Sequence, residues 1–171
     1  TKENVSFAGV DVTADFILGG QLHFKAGQKS TLILNEAPDA TLGSYYTLAK
    51  VEGSTVTFIK ESAPKADVPY VFVAKADCDV TVDEVPETEA GATTVGEVTF
   101  QGSYGVKSLV SDADVTYYSF KAADGTFVVV GGENMGAKVN PMHAYLAVPA
   151  AAGAKAYRFV FDDNTPTGIS G

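Results

Sequence analysis

The chain has 171 residues, 46% of them hydrophobic, with a formal net charge of −9 and a pI of about 4.5. That is enough apolar material for a real core and too much for a globally disordered chain. Twelve Lys and Arg scattered among twenty-one acids argue against a nucleic-acid partner, which needs clustered basic side chains, and against an anionic membrane surface.

Cys78 is the single cysteine, so no intrachain disulfide can form. No apolar run approaches the roughly 18 residues needed to span a bilayer, and membrane insertion is not expected. No basic-then-apolar leader opens the chain at Thr1.

Period-two alternation recurs along the chain, and helical periodicity is nearly absent. Val5 and Phe7 begin a short strand. After Gly19-Gly20, Leu22, Phe24 and Ala26 alternate with polar residues, and Leu32 to Leu34 make a third strand before a turn at Pro38-Asp39. Tyr46 and Leu48 share a face of the next strand, and Glu52-Gly53-Ser54 turns it into Val56 and Phe58. Residues 68–74 (VPYVFVA) are apolar on both faces, as in a strand covered on both sides. Ala76, Cys78, Val80 and Val82 alternate strictly with Asp77, Asp79, Thr81 and Asp83, the cleanest half-buried strand in the chain. Cys78 therefore reads as a small buried hydrophobe.

Residues 86–96 (PETEAGATTVG) are small and polar and read as a linker between halves 1–85 and 97–171. Val98 and Phe100 follow, then a Gly102-Ser103 turn. The dense apolar stretch 116–163 brings a tyrosine pair, an Asp124-Gly125 turn and further strands. Pro149 precedes residues 150–154 and Gly153 interrupts them, so they read as an alanine-rich loop, and 164–171 as an extended tail. Strands without intervening helices predict an all-β protein, an antiparallel sandwich or barrel, forming one domain.

Tyr45, Tyr46, Gly53 and Pro69 recur as Tyr117, Tyr118, Gly125 and Pro141, each seventy-two residues later. This predicts two pseudo-repeated halves.

The same residues carry a resemblance. Pro141, Ala144, Tyr145 and Leu146, then an apolar strand and the tail DDNTPTGI, with Pro69-Tyr70-Val71-Phe72 earlier, are similar to β-rich C-terminal modules. Such modules occur in exported surface proteins of Bacteroides-type gut bacteria, and the likeness spans residues 30–168. It implies a secreted or cell-surface sandwich module of unassigned activity, and it carries over no catalytic residues.

Motifs for chemistry are sparse. His23 and His143 are the two histidines, and there is no HExxH, CxxC pair or close histidine spacing, so no metal or cofactor is expected. Asp112-Asp114 and Asp162-Asp163-Asn164 cluster oxygens but lack the spacing of an EF-hand loop, and they read as turn and capping acids. Gly102-Ser103-Tyr104-Gly105 lacks the spacing of a nucleophile elbow.

Adjacent residues of a strand face opposite ways, so Tyr46 and Tyr118 should look inward and Tyr45 and Tyr117 outward. Exposed tyrosines beside Thr47 and Ser119 are candidate platforms for sugar rings or anchors for a protein partner. The expectation is a non-enzymatic surface module for adhesion, display or scaffolding, with a glycan or a host or bacterial surface protein as partner. A carbohydrate-binding module using Tyr45 and Tyr117 is the alternative, and a glycoside hydrolase is a distant third.

Overall fold

The computed structural model describes residues 20–82, 86, 89–132, 136–153 and 157–163. The strand read at Val5 and Phe7 and the tail 164–171 lie outside the described residues.

The chain is all-β. Its first half folds as β1 (Gly20–Phe24), β2 (Lys29–Leu32), β3 (Gly43–Glu52), β4 (Thr55–Glu61), β5 (Tyr70–Ala74) and β6 (Cys78–Val82). The second half adds β7 (Ala92–Val95), β8 (Val98–Ser103), β9 (Lys107–Leu109), β10 (Val115–Lys121) and β11 (Thr126–Val129). It ends with β12 (Ala137–Val139), β13 (His143–Pro149) and β14 (Arg158–Asp162). Two corrections to the sequence reading fall here. Residues 86–96 are not purely a linker, because β7 lies within them and pairs with β8. Ala150–Gly153 is a single turn of α-helix, α1, rather than a loop; three successive alanines favour that conformation.

Two five-stranded sheets make a sandwich, in the orders β14-β4-β3-β5-β2 and β11-β10-β13-β8-β7. Pairing is antiparallel except at one edge, where β14 runs parallel to β4, with Arg158 opposite Thr55 and Phe161 opposite Phe58. The first sheet is thus completed by a strand from the end of the chain. It is also curled, since Lys29 of β2 places its ammonium 5.3 Å from the ring of Phe161 on the opposite edge strand.

Alternation explains the core. Tyr46, Leu48 and Phe58 from the first sheet meet Phe100, Tyr118 and Leu146 from the second. Phe58 is fully buried and touches three rings, stacked on Phe127 and Phe161 and edge-on to Phe100. Both halves supply this core.

Each outer face is also partly roofed. The two-stranded ribbon β1-β6 covers the first sheet, packing Phe24, Val80 and Val82 over Tyr45, Tyr70 and Phe72. The smaller ribbon β9-β12 covers the second, where Leu109 and Val139 meet Tyr145 and Val130.

The two sheets share a local plan: β3 lies between β4 and β5, and β10 lies between β11 and β13. The constant offset of seventy-two does not survive in the pairing. Tyr45 faces Phe72 whereas Tyr117 faces Ala147, an offset of seventy-five on that side. Tyr46 faces Lys60 whereas Tyr118 faces Val129, an offset of sixty-nine on the other. Gly53 and Gly125 both take left-handed backbone, at φ 61° and 67°, but in turns of different length. Pro141 accordingly does not occupy the place of Pro69. By the pairing offset it is Met142 that corresponds to Asp67, and these are the two non-glycine residues with positive φ among the described residues, at 68° and 60°.

Candidate functional site

The paired tyrosines divide as strand geometry requires. Tyr46 and Tyr118 enter the core between the sheets. Tyr45 and Tyr117 lie on the outer faces, which puts them on opposite sides of the sandwich rather than in one site.

Tyr45 is a correction. It is 1% exposed, stacked on Phe72 at 4.7 Å and edge-on to Tyr70 at 5.7 Å. Its hydroxyl donates to the Asp39 carbonyl at 2.8 Å. Burial, and then the Asp39 carboxylate, push its pKa far above the usual tyrosine range. Strand parity identified the outer face but not the β1-β6 ribbon lying over it. Tyr45 cannot serve as an exposed platform.

Tyr117 is half-buried and stands edge-on to Tyr145, with ring centroids 5.8 Å apart. This repeats the geometry of Tyr45 with Tyr70, and the pairing offset maps Tyr70 onto Tyr145. The polar ends differ. Tyr70 accepts from the Lys65 amide at 2.7 Å, and Tyr45 donates to Asp39. Among the described residues no group bonds the hydroxyl of Tyr117 or of Tyr145. Tyr145 is nonetheless 7% exposed, and burial, reinforced by Tyr117 and Glu89, raises its pKa. A buried hydroxyl without a partner is uncommon because its desolvation is uncompensated.

Tyr145 lines a cleft of about 340 Å³ with Glu89, Gln101, Ser103 and Lys107. Gln101, opposite Tyr145 in the β8–β13 pairing, spends its amide nitrogen on the carbonyls of Ala90, Gly91 and Gly102. That fixes the side chain and leaves its oxygen without a donor among the described residues. Ser103 donates to the Gly105 carbonyl at 2.7 Å and keeps its lone pairs. The cleft thus joins an aromatic wall to a fixed amide oxygen and two hydroxyls. Tyr145 went unnoticed as a site residue in the sequence; the signal was its parity with Ala147, the residue facing Tyr117.

The histidines sit elsewhere. His143 Nδ1 is 3.2 Å from the Thr31 hydroxyl, which also accepts from the Ala144 amide at 3.1 Å. Burial lowers the His143 pKa, with hydrogen bonding to Thr31 opposing it. It borders a smaller cleft, of about 160 Å³, with Ser30, Ser119, Lys138 and Asn140. His23 pairs with Asp79 on the exposed side of the β1-β6 ribbon. Cys78 is half-buried beside them, and burial, then Asp79 and Asp77, raise its pKa, which disfavours the thiolate a nucleophile needs.

The acidic loops have structural roles. Asp112 accepts from the amides of Val115 and Asp114, bonds that lower its pKa. Asp163 accepts from the Tyr46 hydroxyl. Asn164 lies outside the described residues. No group of three His, Cys, Asp or Glu side chains among the described residues could hold a metal ion, and no helix is long and apolar enough to cross a membrane. Glu89 is the one carboxylate among the described residues lining the Tyr145 cleft, whereas glycoside hydrolysis ordinarily uses two.

No family model, no curated protein and no solved structure matches the chain.

Proposed function

We propose that this chain is a non-enzymatic module of an exported bacterial surface protein, acting in adhesion, display or scaffolding. It binds its partner through the outer face of the second sheet. One observation carries this reading: Tyr145, with Tyr117 edge-on behind it, borders a cleft and neither hydroxyl is bonded by any described residue, whereas in the matching pair Tyr45 donates to the Asp39 carbonyl and Tyr70 accepts from the Lys65 amide. A fold tolerates an uncompensated hydroxyl where a ligand supplies the missing bond. Asp39 and Asp112, by contrast, are committed to backbone amides. The net charge of −9 suits a soluble module held outside the cell.

Retention of chain-coated beads on bacterial and epithelial cell layers tests the reading. Retention should exceed that of beads coated with an unrelated acidic β-sandwich, and Tyr117→Ala should reduce it several-fold. Retention equal to the control, or turnover of a polysaccharide by the purified chain, would overturn it.

A further inference from the structure

We infer that the ligand of the Tyr145 cleft is an uncharged sugar ring, bound by hydrogen bonds to the Tyr145 hydroxyl and the Gln101 amide oxygen. This rests on the reading of the cleft as a binding site and names its ligand class.

Size comes first. At about 340 Å³ the cleft lies at the small end of ligand sites, which suits a single ring rather than a peptide segment or an extended apolar molecule. Chemistry follows. Tyr145 offers a hydroxyl that can donate or accept, and Gln101 an oxygen that accepts, held in place by its amide nitrogen. A sugar hydroxyl can both donate and accept, so neighbouring hydroxyls on one ring satisfy both groups.

Charge discriminates further. Among the described residues Glu89 and Lys107 contribute one carboxylate and one ammonium to the lining, which offset each other. The chain as a whole, at −9, repels acidic sugars. The first half supplies the internal comparison. There the equivalent tyrosines bond to Asp39 and Lys65, and Phe24, Val80 and Val82 lie over them. The hydroxyls of this aromatic pair are therefore bonded within the fold in one half and, among the described residues, left for a ligand in the other.

The test uses the full chain on an array of neutral and uronic-acid oligosaccharides, followed by calorimetric titration of the best neutral binder. Neutral sugars should bind, and Tyr145→Phe, which deletes only the hydroxyl, should lower affinity about tenfold without unfolding the chain. Undiminished affinity in Tyr145→Phe, or binding confined to uronic acids, would overturn the inference. If bead retention on cells persists while no sugar binds, the sugar assignment fails and the adhesion reading stands. If both are absent, both fail.

Discussion

Tyr104 donates its hydroxyl to the carboxylate of Asp67 at 2.6 Å, joining the end of β8 to the loop before β5. The same Asp67 oxygen accepts from the Gly91 amide at 2.8 Å, and the Asp67 amide donates to Leu34 at 2.7 Å. Asp67 is held at φ 60°, a conformation that costs a non-glycine residue about 1–3 kcal/mol. Two bonds to the second half and one to Leu34 offset that cost. Asp67→Ala should destabilise the chain by about 2–4 kcal/mol in urea unfolding, through two lost acceptor bonds. Asp67→Asn, which keeps an acceptor and tolerates left-handed backbone, should cost less than half as much. Equal losses in the two variants would contradict this role.

Gly91 belongs to the same junction. A Cβ there would lie 2.1 Å from the Asp67 carbonyl oxygen, a backbone atom that cannot swing aside. Gly91→Ala should therefore cost about 1–3 kcal/mol. An unchanged urea midpoint would show that the loop before β7 yields freely.

His143 sets an acid limit on stability. Its pKa is lowered in the folded state from an ordinary value of 6.5, chiefly by burial. The unfolded chain therefore takes up the proton first, and the contribution of neutral His143 is present above pH 6.5 and lost as pH falls below it. The melting temperature should decline between pH 7 and 5, before the carboxylates titrate. His143→Gln should flatten that decline, and the same slope in the variant would exclude His143 as its source.

Phe58 tests the aromatic core. It is fully buried and touches Phe100, Phe127 and Phe161, so truncation leaves a cavity between the sheets and the parallel strand β14. Phe58→Ala should cost about 3–5 kcal/mol, a large share of the stability of a domain this size. A loss below about 1 kcal/mol would mean that these rings do not pack as one cluster.

Much of this was legible in local pattern. The alternation around Tyr46, Phe58 and Phe100 reports which face each residue takes, because the period of a strand is two. It does not report what covers a face. Tyr45 lies under strands paired through His23 and Asp79, fifty-six residues apart, and nothing near Tyr45 encodes that. The parallel docking of β14 on β4 is equally non-local, joining Arg158 to Thr55. The tyrosine correspondence was hidden by indexing on proline. Pro69 and Pro141 share the spacing of the tyrosine pairs, but the hydrogen-bond ladder puts Tyr145, three residues further on than that spacing, in the place of Tyr70.

The central claim is that one tyrosine pair is spent inside the fold and its counterpart is not. Unfolding free energies of Tyr70→Phe and Tyr145→Phe, measured without ligand, test it most directly. Tyr70→Phe strips the Lys65 amide of its acceptor and should lose about 1–2 kcal/mol. Tyr145→Phe removes a hydroxyl with no described partner and should leave stability unchanged or slightly higher. A loss in Tyr145→Phe as large as that in Tyr70→Phe would mean that its hydroxyl is already bonded within the fold and is not held for a ligand.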